Sequence, residues 1–143
     1  VSTVQHRSLA EGRWQALSLV QQLANIGSEV ERALDWLRKN NREYSRAAFL
    51  RALELLDMTV ADPRHLSRLK EIVRLREVML DYFLGDNRYR STEESWRSYF
   101  RTFAFAAALE REKSGGRPSG SFRESGAGSA SARDQRNWKG SST

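Results

Sequence analysis

No cysteine occurs in the chain, so a disulfide framework, a thiolate zinc site and a cysteine nucleophile are all excluded. Histidine is nearly as scarce. His6 and His65 are the only two, and neither stands in a Glu-x-x-His pair, the spacing by which one helical turn brings two ligands onto a metal inside a bundle. A serine triad would have to use one of these histidines, with nothing to supply a nucleophile elbow or an oxyanion hole. The P-loop, the GxGxxG turn and the EF-hand loop are also missing. So is the Arg-x-x-x-x-His signature of the RNA-cleaving HEPN bundles: Val60 stands five residues before His65, and no arginine precedes His6. No apolar window approaches the roughly 18 residues that a spanning helix needs, and the N-terminus carries no apolar core of signal-peptide length. These absences predict a cytoplasmic non-enzyme with no catalytic residue, no metal, no cofactor and no membrane partner.

What the chain does have is unevenly spread. Lysine and arginine number 24 against 18 acidic residues, a formal net charge of +6. Half of that excess lies in residues 114–143, which hold six glycines, eight serines and only Phe122 and Trp138 as large apolar groups. Such a composition buries too little apolar surface to offset the entropy of ordering. The expected organisation is therefore an N-terminal arm over 1–17, a four-helix bundle over 18–113 and a disordered Gly/Ser/Arg tail over 114–143.

Apolar residues recur at helical steps through the body. Leu19, Leu23, Ile26, Val30, Ala33, Leu34 and Leu37 form one face of a helix from Ser18 to Lys39, with Ser18 and Gln21 as its capping box. Gly27 inside it points to a kink or a close helix approach, or to a tolerated glycine, and Asn40-Asn41 supplies a stop. A second helix, from Tyr44 or Ser45, presents Phe49, Ala52, Leu53, Leu56 and Val60, with Leu50 and Leu55 widening the face. Asp62-Pro63 reads as an N-cap followed by proline at the first helical position. The third helix is then expected over Pro63 to Leu84, with a seam of Leu66, Leu69, Val73, Leu80 and Phe83 flanked by Ile72, Leu75 and Met79. Arg76 interrupts that seam and is expected to pair with Glu54, Asp57 or Asp81. Gly85 is expected to close the helix in a left-handed conformation. Ser91 with Glu94 predicts the start of the fourth helix, which carries Trp96, Tyr99, Phe100, Phe103 and Phe105. It is expected to end at Lys113-Ser114-Gly115. Ser8, Glu11 and Trp14 allow a short helix in the arm, its indole laid over one end of the core. Short connections between four amphipathic helices predict an antiparallel up-down bundle.

Two surfaces are candidates for binding. Arg88, Arg90, Arg97 and Arg101, beside Tyr89 and Trp96, suit stacking on bases and contact with phosphates of RNA or DNA. On the third helix, Arg64, Arg68, Lys70 and Arg74 offer a local basic ridge, interrupted by Glu71 and Glu77. Apolar surface beyond what four helices bury predicts a protein partner or a second copy, with Trp36, Leu50, Leu55, Tyr82 and Phe105 as the surplus. The segment 43–55 resembles half of one tetratricopeptide unit, but nothing similar recurs 34 residues on, as an array would require.

The phrases Leu23-Ala24-Asn25-Ile26-Gly27-Ser28-Glu29-Val30, Arg51-Ala52-Leu53-Glu54-Leu55-Leu56-Asp57 and Leu69-Lys70-Glu71-Ile72-Val73-Arg74-Leu75-Arg76-Glu77, followed by Asp81-Tyr82-Phe83 and Gly85-Asp86-Asn87, resemble a functionally uncharacterised family of small all-helical bacterial proteins. The resemblance covers about Leu17 to Leu109 and implies no site. In architecture alone the chain is similar to the basic four-helix proteins that accompany reverse transcriptases in diversity-generating retroelements, and to bundle proteins encoded in ribosomal RNA intervening sequences. The reading that follows is a non-enzymatic, self-associating helical interaction or accessory protein. The alternative is a nucleic-acid-binding accessory protein.

Overall fold

A computed structural model describes residues 12–115. Ser8, Glu11 and the tail from residue 116 lie outside the described residues. The elements are α1 (Leu19–Arg38), α2 (Arg42–Val60), a 3₁₀ segment (Pro63–Arg68), α3 (Leu69–Phe83) and α4 (Glu93–Lys113). Residues 12–15 add a single helical turn before α1, and no strand occurs among the described residues. The chain divides into a unit over 1–107 and a second over 108–143.

α1 begins as its sequence dictates. Ser18 Oγ accepts the Gln21 N–H at 3.1 Å while Gln21 Oε1 accepts the Ser18 N–H at 3.1 Å, which satisfies two otherwise orphaned donors. Leu23, Ile26, Val30, Ala33 and Leu34 are buried along one face, and each large member contributes about 1.5–3 kcal/mol of burial. The chain leaves α1 through Asn40, at φ 60°. Asn41 then caps α2 by accepting the Tyr44 N–H at 3.0 Å, so α2 starts at Arg42, two to three residues earlier than the apolar pattern suggests.

α2 lies against α1 through small residues. Ala48 and Ala52 are fully buried, and the Ser45 hydroxyl donates to the Ala33 carbonyl at 2.8 Å. Further along, Arg51 reaches Glu29 at 3.2 Å. Phe49, with no exposed surface, stacks on Phe83 of α3 with ring centroids 4.8 Å apart. Trp14 covers the opposite end of this pair, its indole N–H donating to Thr59 Oγ1 at 3.0 Å.

The third helix departs from expectation in its first turns. Asp62 does cap Pro63, accepting the Arg64 N–H at 3.0 Å, but Pro63–Arg68 is 3₁₀ and His65 breaks the helical geometry at φ −103°, ψ 21°. At three residues per turn rather than 3.6, this segment shifts the phase of everything before Leu69. Leu66 consequently stands 70% exposed. The buried residues of α3 are Ile72, Leu75 and Met79, and Val73 faces solvent. The expected flank is thus the core face; of the expected seam, Leu66 and Val73 are exposed, while Leu80 and Phe83 are partly buried at the edge of the core. Arg76 lies to one side, where it meets Asp57 at 2.7 Å.

Gly85 does not close α3 in the left-handed region; that conformation belongs to Asn87 (φ 53°) and Arg90 (φ 56°). The role of Gly85 is close approach, since a Cβ there would stand 3.0 Å from the Asp81 carbonyl oxygen. The capping pair of α4 is Thr92 with Ser95 rather than Ser91 with Glu94. Thr92 N–H donates to Ser95 Oγ at 2.9 Å and Ser95 N–H to Thr92 Oγ1 at 3.0 Å. Ser91 is held in the loop by Asn87, which accepts its N–H at 2.8 Å and donates to its carbonyl at 3.0 Å.

Within the first unit, α4 buries Trp96, Phe100 and Ala107. Phe100 sits on Gly27, where an added Cβ would lie 2.7 Å from the Phe100 Cβ. Of the apolar residues expected to be surplus, Trp36 is buried and Leu55 and Tyr82 pack against the core, whereas Leu50 and Phe105 are exposed. Tyr82 finds an edge-on partner in Trp96, and Trp36 in Tyr44, so both rings are absorbed by neighbours the pattern did not reveal. In the second unit, α4 ends at Lys113, and Gly115 takes φ 84°.

Candidate functional site

The four arginines proposed from sequence do not act as one surface. Arg97 is only 18% exposed and lies within 2.9 Å of both Asp35 and Glu93, with Glu31 at 3.7 Å. Asp35 and Glu31 sit one turn apart on α1, so the helix that packs beside α4 supplies the counter-charges. Arg38 also pairs with Glu93, and the hydrogen bond from Arg97, joined by that from Arg38, holds the Glu93 carboxyl below its ordinary range.

Arg88, Arg90 and Arg101 remain exposed, with no ion-pair partner among the described residues. Arg88 and Arg90 belong to the loop that Asp81 organises. Its carboxylate accepts the Arg88 N–H at 2.8 Å and the Tyr89 N–H at 3.0 Å. Tyr89 is itself engaged: its hydroxyl donates to Glu77 at 2.9 Å, and the Arg74 guanidinium lies 5.4 Å from its ring centroid. Trp96 is 5% exposed and stacks with Phe100, so it offers no face to a base. The ridge on the third helix is largely spent on local pairs, Arg64 with Asp62 at 2.6 Å and Arg68 with Glu71 at 2.8 Å.

His65 is buried in a polar knot. Its Nε2 stands 3.1 Å from Gln22 Oε1 and 3.4 Å from Asp62 Oδ2, while Gln22 donates to the Trp14 carbonyl at 2.9 Å. Every member of this knot is occupied in joining Trp14, α1 and the 3₁₀ segment. No group of three or more His, Asp or Glu residues suited to a metal occurs among the described residues, and no helix among them is long and apolar enough to cross a membrane.

Two hollows among the described residues of the first unit are large enough for a small molecule. One, about 350 Å³, lies between α3 and α4 beside Trp96 and Tyr99. The other, about 420 Å³, opens where α1 ends, α2 begins and α3 ends, with Arg42 and Arg46 on its margin. Sequence reasoning passed over those two arginines. The available signal was two cations one turn apart at the start of a helix, where the backbone dipole does not favour them.

Comparison with protein-family models, with curated proteins and with solved structures found no match. The functional reading therefore rests on the residues themselves.

Proposed function

We propose that this chain is a non-enzymatic helical interaction protein that associates with copies of itself, built as an antiparallel up-down four-helix bundle. The order of side-chain pairs supports the bundle. Ser45 meets Ala33 and Arg51 meets Glu29, so numbers rise on α2 as they fall on α1. The same reversal holds for Asp57 with Arg76 and Phe49 with Phe83 across α2 and α3, and for Gly27 with Phe100 and Asp35 with Arg97 across α1 and α4.

One observation carries the self-association reading: Leu66 at 70% and Phe105 at 67% exposure stand open to water, outside the core that other apolar side chains fill. Single exposed apolar residues are ordinary; two this large, together with exposed Leu50 and Val73, suit burial against a partner. Sedimentation velocity of the full chain over a range of concentrations tests it. A dimer or higher species is expected, reduced to monomer by Leu66→Glu with Phe105→Glu. A monomer throughout the micromolar range rules it out.

A second reading is favoured by Arg88, Arg90 and Arg101, whose side chains are exposed and carry no carboxylate partner among the described residues. Such groups suit contact with the phosphates of RNA or DNA, and binding would weaken steeply with salt. Binding unchanged by Arg88→Glu, Arg90→Glu and Arg101→Glu together would remove this surface from consideration.

A further inference from the structure

The hollow bounded by the end of α1, the start of α2 and the end of α3 has a chemistry of its own. Its volume, about 420 Å³, falls in the range of small-molecule sites, roughly 300–1,000 Å³. The floor is the stacked pair Phe49 and Phe83. Leu37 and Leu84 complete the apolar wall and are 37% and 48% exposed, so this wall is open to an incoming apolar group. Arg42 and Arg46 stand on the margin, one helical turn apart and both exposed. Neither guanidinium has an ion pair or a hydrogen-bond partner among the described residues, whereas Arg51, Arg64, Arg68, Arg76 and Arg97 are all paired with carboxylates.

The fold gains nothing evident from this placement. Arg42 is the first residue of α2, where a positive side chain opposes the positive end of the helix dipole. The Ser45 hydroxyl, also on the lining, already donates to Ala33, so the two arginines are the cationic donors left to meet a ligand. A polyphosphate would find no use for the leucine and phenylalanine wall, and a cation would be repelled at the margin.

We infer that this hollow binds an amphipathic monocarboxylate, its apolar body against Leu37, Phe83 and Leu84 and its carboxylate held by Arg42 and Arg46. A single guanidinium presents its N–H donors in a fork that matches a carboxylate, and Arg42 and Arg46 offer two such groups on the margin. Glu43 shares the lining and opposes the anion, so it limits affinity. This site uses neither Leu66 nor Phe105, the two residues on which the self-association test turns.

Isothermal titration calorimetry of the full chain with decanoate tests the inference, with acetate and decyltrimethylammonium as ligands lacking the body and the negative charge. Decanoate is expected to bind, and the other two are not. Arg42→Gln with Arg46→Gln should weaken decanoate about tenfold or more, Leu84→Ser should also weaken it, and Glu43→Gln should tighten it. All of these side chains are exposed and make no contact the fold requires, so circular dichroism should show unchanged helicity. The inference is overturned if decanoate fails to bind, if decyltrimethylammonium binds as well, or if the double arginine variant binds decanoate undiminished. Since ligand binding and sedimentation are measured separately, failure here leaves self-association standing, and the reverse also holds.

Discussion

Gly27 on α1 and Phe100 on α4 touch so closely that a Cβ added to the glycine would lie 2.7 Å from the Phe100 Cβ and 2.8 Å from its Cγ and Cδ1. These atoms are the root of the ring rather than a flexible tip. Gly27→Ala would gain about 1 kcal/mol in helix propensity, but forcing the helices apart costs about 1–3 kcal/mol. The substitution is therefore expected to lower stability in urea unfolding. A stability gain would show that α1 and α4 are not held at this distance.

Arg97 holds three carboxylates together at the other end of the same contact. Removing it as Arg97→Ala leaves Glu31, Asp35 and Glu93 facing one another across α1 and α4. Because these acids are themselves 34–47% exposed, solvent screens much of the effect, and a loss of about 1–2 kcal/mol is expected in denaturant unfolding. High salt should narrow the gap between variant and parent.

Asp62 gives the fold an acid-sensitive joint. The side-chain hydrogen bond from Arg64 comes first among the causes that lower its pKa from 3.8 to about 2. A folded-state value below the unfolded one contributes stability that is complete above pH 3.8 and is lost as pH falls from there toward 2. Asp62→Asn keeps a capping oxygen for the Arg64 N–H but no longer titrates. Its unfolding free energy should vary less with pH across that window, as measured by urea titrations at fixed pH.

The Trp14 indole tests whether the single turn before α1 belongs to the core. Trp14→Phe preserves most of the apolar contact and removes the donor to Thr59 Oγ1. A loss of about 1 kcal/mol is expected. No change would mean that the indole N–H bond to Thr59 contributes little to holding this turn on the core.

Much of the helical framework was legible because the signals were local. Ser18 and Gln21 reciprocate in the structure as in the sequence, and Asp62-Pro63 marks a start in both. The α3 face was not legible, since Leu66, Leu69, Val73 and Leu80 form as regular an apolar row as Ile72, Leu75 and Met79. Three-residue turns through His65 and the reach of Arg76 to Asp57 decide between them, and neither shows in spacing. Ser91 misled for a similar reason, because Asn87 claims its backbone and leaves Thr92 to cap α4. For the candidate site, the arginine cluster was visible as composition but its pairing was not. Arg97 lies 62 residues from Asp35 in sequence, and nothing in the order of residues brings them together.

Asp81 gathers much of the connection between α3 and α4, from Gly85 to Tyr89, onto one residue. Its carbonyl accepts the Gly85 and Asn87 N–H groups, and its carboxylate accepts those of Arg88 and Tyr89. Four amides thus depend on a single backbone position and a single rotamer. They should surrender their protons to deuterated solvent together, as one cooperative opening, rather than fraying outward from the helix end.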